Sequence, residues 1–289
     1  MPIEIRPIVT LDDFVQVEDV QRETWRDSET QIVPRHLINV TAHSGGAVIG
    51  AFDGDRLVAF VFSFIGTDDS DPRRPAMTHL KHCSHMLAVL PEYRGFGLGY
   101  RLKLAQRDYV HQQGIRLITW TFDPLESKNA HLNITRLGSI ATTYVIDAYG
   151  TMVDGLNAGL PSDRLLAEWW ITSPRVRERL EGARAPLNLA SFTSVGAPIA
   201  NASVIAPDDG LPRPPASLTQ PTGMFGLIEV PYDFQALKTY DAVLARDWRF
   251  AVRDAFSALF EGGYMVTDFF SEPYEGRLRS FYALAPRDS

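Results

Sequence analysis

The sequence predicts a mixed α/β (α+β) fold divided into a larger N-terminal domain and a smaller C-terminal α+β extension. Three observations predict it. Over residues 1–175, short β-branched and aromatic runs alternate with segments whose apolar residues recur every three to four positions. Between Ala185 and Gly223 the chain then carries Pro186, Pro198, Pro207, Pro212, Pro214, Pro215 and Pro221, which rules out a long helix or a central strand there. Beyond that break, a strand, a long amphipathic helix and two more strands close the chain. The limits read from this pattern are a first domain over 1–175, a helix end and Pro/Ala-rich arm over 176–223, and a subdomain over 224–289. The 289 residues are about twice what an ordinary domain needs, in keeping with that division.

Each element has a local reason. Ile3–Ile8 reads as the opening strand. Thr10 with Asp13 resembles a capping box, and the helix behind it carries Leu11, Phe14 and Val17 on one face and ends near Trp25. A second helix follows Pro34. Ala47–Phe52 and Leu57–Ile65 flank Asp53-Gly54-Asp55, a hairpin signal. A strand from about His82 to Leu90 enters a glycine-rich loop. The next helix has Leu98, Leu102, Ala105 and Tyr109 at helical spacing, with Gly114 as its stop. Ile115–Phe122 is another strand, a short helix after Asp123-Pro124 stops at Leu137-Gly138, and Tyr144–Ile146 begins a further strand. In the arm, the apolar pieces Leu187–Phe192 and Ala202–Ile205 predict packing over free disorder. Phe225–Val230 reads as a strand and Asp233 as an N-cap. One continuous helix then follows, with Leu237, Tyr240, Leu244, Trp248, Ala251, Ala255 and Leu259 as a stripe that needs a covering surface. Tyr264–Phe270 and Arg279–Leu284 are the closing strands.

Composition narrows the function. Hydrophobic residues make up 45% and charged residues 22%, enough apolar material for a core and too much for a disordered chain. A formal charge of −7 argues against a phosphate-backbone binder, so no nucleic-acid partner is expected. Cys83 is the single cysteine, which excludes an intrachain disulfide framework and a Cys-rich metal site. The opening Met-Pro-Ile-Glu-Ile lacks a signal-peptide pattern and no apolar run nears the length of a membrane span. The expectation is a cytoplasmic protein with no membrane partner.

The segment that carries chemistry is Leu87-Ala88-Val89-Leu90-Pro91-Glu92-Tyr93-Arg94-Gly95-Phe96-Gly97-Leu98-Gly99. A strand runs into a loop with three glycines and then into a helix N-terminus, where free N–H groups and the helix dipole favour an anion. The spacing is neither the dinucleotide fingerprint nor a Walker loop. It resembles the acyl-CoA-binding motif of the GNAT superfamily of N-acyltransferases, Arg or Gln, two residues, Gly, one residue, Gly or Ala, carried here by Arg94, Gly97 and Gly99. Leu87-Ala88-Val89 and Pro91–Gly95 extend the match outward, and the element order is similar over roughly the first 175 residues. A closer likeness to one group of GNAT acetyltransferases rests on Asp123-Pro124-Leu125, Asn129-Ala130-His131, Leu137-Gly138, Tyr149-Gly150, Asp154–Pro161 and Asp163-Arg164.

The resemblance implies a mixed, mostly antiparallel sheet and an acetyltransferase that takes an acetyl or other short acyl group from acetyl-CoA or another acyl-CoA, with no metal. The acceptor is the amine of a small molecule, an amino acid among the candidates. The alternative is a non-catalytic acyl-CoA-binding module. Backbone N–H groups over Gly95, Phe96, Gly97, Leu98 and Gly99 would hold the pyrophosphate. Leu87, Ala88 and Val89 would pair with the pantetheine arm, a backbone N–H near Val89 would polarise the thioester, and Asn129 would bond the pantetheine or a strand carbonyl. Arg101, Lys103 and Arg107 either help neutralise phosphates or form a solvated helix face, the latter being favoured.

His85 is the candidate base, because strand alternation puts it on the face of Leu87 and Val89 and an imidazole suits the task. The recurrence of His79, His82 and His85 invites a zinc reading, which a strand's alternation disfavours. The family's acidic tyrosine position holds Ile134; Tyr144 and Tyr149, just downstream, are the candidate substitutes, a mechanism without a dedicated acid is the alternative, and an ordinary buried strand aromatic is the plain reading of Tyr144. For an amino-acid acceptor, Arg164 would meet the carboxylate and Asp154 or Asp163 the ammonium, with Asn157 in the same segment; turn chemistry and surface charge explain these residues equally well. A second copy of the chain is a further candidate partner, through the segment past Phe225.

Overall fold

The computed structural model describes residues 2–25, 32–68, 73, 75–150, 159–185, 187–221 and 223–287. They fall into two compact units: the first runs through Trp120 and takes in Trp170–Thr172, and the second holds the rest of the described chain. This division lies at Trp120/Thr121, well before the sequence-derived limit at 175.

In the first unit, β1 (Glu4–Pro7) leads to α1 (Leu11–Trp25) and α2 (Arg35–His43). Then come β2 (Ala47–Asp53), β3 (Arg56–Thr67), β4 (Leu80–Val89), α3 (Leu98–Gln112) and β5 (Leu117–Phe122). The strands lie in that order, antiparallel except for the β4–β5 pair. The Asp13 N–H donates to Thr10 Oγ1 at 3.1 Å, as the capping box predicts. The Asp13 carboxylate also accepts from Arg6 at 2.9 Å. β3 is buried without interruption from Leu57 to Ser63, as expected of a strand covered on both faces. Phe14 and Val17 of α1, Ile38 of α2 and Leu98 and Leu102 of α3 join it in one core.

The second unit begins with a helical turn, α4 (Ser127–Ala130), that widens into a π-helical stretch, His131–Arg136. β6 (Ile140–Val145) and β7 (Arg164–Trp170) pair antiparallel. Tyr144 therefore stands near the end of a strand and does not begin one. α5 (Pro174–Leu180) starts on a Ser173 cap that accepts the Val176 N–H. In the arm, α6 (Leu189–Thr193) buries Leu189 and Phe192 against Leu227, Phe270 and Phe281. The two-residue strands β8 (Val204–Ile205) and β9 (Pro212–Arg213) pair with each other. Packing thus holds for Leu187–Phe192, whereas Val204 and Ile205 are exposed.

β10 (Gly226–Val230), α7 (Phe234–Tyr240), α8 (Ala242–Glu261), β11 (Tyr264–Tyr274) and β12 (Arg277–Pro286) complete the chain. The single long helix expected from the apolar stripe is broken at Asp241, whose extended backbone and carboxylate cap α8 by accepting the Leu244 N–H at 2.9 Å. Tyr240 consequently leaves the stripe and is exposed. Trp248, Val252, Ala255, Phe256 and Leu259 of α8 are fully buried. β11 and β12 form a hairpin on Glu275-Gly276, both at positive φ, which is the turn that matches strand twist. Among the described residues no helix is long and apolar enough to cross a membrane.

Candidate functional site

The first unit builds its site where β4 parts from β5. Their parallel pairing comprises His82↔Ile118 and Cys83↔Thr119, so from Ser84 to Val89 β4 is paired along its β3 edge only. Backbone groups on the other edge are open to an extended chain that carries amides. Leu87, Ala88 and Val89 all lie on this stretch. A tight turn at Pro91–Tyr93 follows, held by Tyr93 Oη donating to Asp53 at 2.8 Å and by an Arg56–Glu92 ion pair at 2.9 Å.

Arg94 folds back to donate to the Val89 carbonyl at 3.2 Å. Gly95 and Gly97 then take φ of 87° and 73°, the left-handed region where a side chain is strained. That reversal aims the chain into α3, whose first backbone bond is Arg101 N–H to Gly97 O. The N–H groups of Leu98, Gly99 and Tyr100 precede it and have no intrahelical acceptor. Phe96 is 72% exposed, so burial of its aromatic does not hold the loop.

His85 differs from expectation. Opposite residues in the β3–β4 ladder are Phe62↔Met86 and then Ser63↔Ser84, which leaves His85 as the extra residue of a β-bulge. The bulge breaks the alternation and puts His85 beside Phe62 and Phe64, with ring centroids 6.0 and 6.1 Å away. Leu87 and Val89 oppose Val61 and Ala59, on the other face. Desolvation lowers the His85 pKa.

The charged face expected on α3 is only partly there. Arg101 donates to the Ile3 carbonyl and Arg107 to the Ile171 carbonyl. Lys103 is buried: its ammonium donates to Ser84 Oγ at 2.8 Å and Gln106 Oε1 at 3.2 Å and sits 3.7 Å from the Trp120 ring centre. Burial, with no carboxylate partner among the described residues, pushes its pKa down to about 7. A second buried pair lies alongside, His82 donating through Nε2 to Gln113 Oε1 and accepting through Nδ1 from the Ser63 hydroxyl. Sequence reasoning missed both networks. The signal was the position of Gln106 midway between Leu102 and Val110, on the stripe that α3 buries.

The remaining candidates lie in the second unit. Asn129 is exposed in α4 and does not open it, since Glu126 holds the cap position. Ile134, at the family's tyrosine position, is fully buried. Tyr144 stacks on Phe256 and donates its hydroxyl to Asp163 Oδ2 at 2.9 Å. Desolvation, with the Asp163 charge behind it, raises the phenol pKa far above normal, which makes Tyr144 a poor acid.

Asp163 is fully buried and receives both Arg253 nitrogens at 2.8 Å and the Asp147 N–H at 3.0 Å. Burial pushes its carboxyl up, but those donors and Tyr144 outweigh it and hold the pKa low. Arg164 is buried too, bonded to the Asp163 carbonyl and 3.7 Å from Asp123. Asp163 and Arg164 are thus internal partners and not an exposed pair awaiting a zwitterion. Asp154 and Asn157 lie outside the described residues. Among the described residues no group of three or more His, Cys, Asp or Glu could hold a metal ion.

Residues 12–138, which span α1 through the glycine loop to the π-helical stretch, match the family model of the acetyltransferase (GNAT) family. Over that stretch the chain is similar to the GNAT acetyltransferases. Solved structures similar to it include an N-acetyltransferase from Staphylococcus aureus, 11% identical over 60% of this chain and 100% of that one, with a TM-score of 0.47. The ribosomal-protein-S18-alanine N-acetyltransferase of Escherichia coli is 12% identical over 60% and 96%, at 0.45. An aminoglycoside 6'-acetyltransferase type Ii is 17% identical over 59% and 98%, at 0.45. Among curated proteins nothing matches.

Proposed function

We propose that this GNAT-like domain transfers an acetyl or other short acyl group from acyl-CoA to the amine of a small molecule. One observation carries the reading: the open edge of β4 from Ser84 to Val89 leads through the Pro91–Tyr93 turn into the left-handed glycines and the N-terminus of α3. The edge offers amide partners to the pantetheine arm, and the unpaired N–H groups with the helix dipole receive the pyrophosphate. A chain of net charge −7 can hold an anion this way because the donors are backbone groups.

In the transfer, the neutral amine attacks the thioester carbon and a backbone N–H near Val89 stabilises the oxygen as its charge develops. The carbon–sulfur bond then breaks, giving the amide and the CoA thiolate. The ammonium proton leaves to water. A thiolate of ordinary pKa, about 8.5, needs no dedicated acid to leave near neutral pH. Tyr144 has no part in this step, because its proton is engaged by Asp163.

Gly97→Val is expected to weaken acetyl-CoA binding at least about tenfold, since a β-branched residue at φ 73° is strained and its side chain stands where the phosphates approach. Calorimetric titration measures this. Incubation of the wild type with acetyl-CoA and an amine panel should release free thiol only when an amine is present. Binding without amine-dependent release would instead favour an acyl-CoA-binding module, and undiminished binding by Gly97→Val would remove the loop from the site.

A further inference from the structure

The second unit contains a cavity of about 710 Å³, within the range of small-molecule sites. Its walls include Phe234 at the start of α7 and Phe270 on β11, with six charged side chains, Glu126, Lys128, Arg179, Asp233, Asp268 and Glu272, in the lining. The walls are fixed: the Thr135 hydroxyl donates to the Phe269 carbonyl and ties the π-helical stretch to β11. Asp268 is neutralised within the protein by Arg179 at 2.6 Å and Arg184 at 3.4 Å.

Arg179 is the informative residue. Its side chain is 6% exposed, yet its Nε–H has no partner among the described residues. A buried donor left in this state is costly unless an acceptor meets it. The carboxylates supply the opposite need. Glu126 uses one oxygen to accept from Gln235 and Glu272 uses one to accept the Leu189 N–H, which leaves the other oxygen of each for a cation.

We propose that this cavity is a second ligand site, which binds a zwitterion with an apolar body, an apolar amino acid or dipeptide. The carboxylate meets Arg179 Nε–H, the ammonium meets Glu272 and Glu126, and the side chain lies against Phe234 and Phe270. This site belongs to the second unit alone and does not depend on acyl-CoA being the cosubstrate of the first.

Calorimetry on the full chain without acyl-CoA tests it, with phenylalanine and phenylalanyl-leucine as probes. Both should bind. 3-Phenylpropionate, which lacks the ammonium, and phenethylamine, which lacks the carboxylate, should bind at least about tenfold more weakly than phenylalanine. Glu272→Gln keeps the acceptor for Leu189 and should weaken phenylalanine roughly tenfold while leaving 3-phenylpropionate unchanged. Arg179→Met should weaken 3-phenylpropionate and should not weaken phenethylamine. Gly97→Val should bind phenylalanine like the wild type, which separates failure of this site from failure of the acyl-CoA reading. Equal affinity for phenylalanine and its two analogues, no binding of either probe at millimolar concentration, or an unchanged Glu272→Gln would overturn the proposal.

Discussion

Asp163→Ala should destabilise the second unit by about 3–5 kcal/mol, the loss typical of removing one partner from a buried, hydrogen-bonded charge pair. The carboxylate accepts from four donors: two guanidinium nitrogens of Arg253, the Tyr144 hydroxyl and the Asp147 N–H. Alanine leaves all of them without an acceptor, and the phenol of Tyr144 is buried against Phe256. Asp163→Asn should cost less, since one carbonyl oxygen remains, but its amide N–H₂ faces the Arg253 donors. The sign with pH follows from the lowered Asp163 pKa. The stabilisation is present above the unfolded carboxyl pKa of about 3.9 and is lost as pH falls through the lower folded value. Urea unfolding at pH 7 and pH 3 measures both effects. A midpoint for Asp163→Ala within about 0.5 kcal/mol of wild type would show that the network contributes little.

That ion pair also marks the limit of what the sequence discloses. Asp163 and Arg253 stand 90 positions apart, and no periodicity or spacing links them. Asp163 follows a run of turn formers, and that run disguised β7 as part of a loop. The elements that were legible are those specified locally: the hairpin at Gly54, the Asp233 cap, the Gly114 stop and the glycine loop itself. Each depends on residues within a few positions of one another.

The single helix predicted past Asp233 divides because Asp241 offers the Leu244 N–H a side-chain acceptor, a competition that apolar spacing cannot register. His85 illustrates a different limit. An extra residue in β4 exists only relative to β3, so the bulge appears when the two strands are set side by side and not when either is read alone. The glycine loop was legible because its shape resides in backbone conformations that glycine advertises. The acceptor side was not, because its charged residues are indistinguishable in sequence from buried structural pairs such as Arg164 and Asp123.

Lys103→Met should raise stability by about 2–4 kcal/mol at pH 6, an unusual direction for a core substitution. A buried ammonium with no anionic partner among the described residues is held by Ser84, Gln106 and the Trp120 ring, and these neutral contacts do not replace its lost hydration. Methionine has a similar length, and Ser84 and Gln106 can still bond each other, Gln106 Nε2 donating to Ser84 Oγ at 3.1 Å. The pH dependence identifies the cause. Folding lowers the lysine pKa from its ordinary 10.5 to about 7, so between those values the unfolded chain binds more protons. Wild-type stability therefore rises from pH 7 towards pH 10.5, while below pH 7 both states are charged and the full penalty applies. The advantage of methionine should shrink to under about 1 kcal/mol by pH 10. Unfolding free energies of both proteins at pH 6, 8 and 10 decide the matter. A methionine variant less stable than wild type at pH 6 would mean that the lysine's hydrogen bonds outweigh its desolvation, and a gain that does not vary with pH would assign the effect to packing and not to charge.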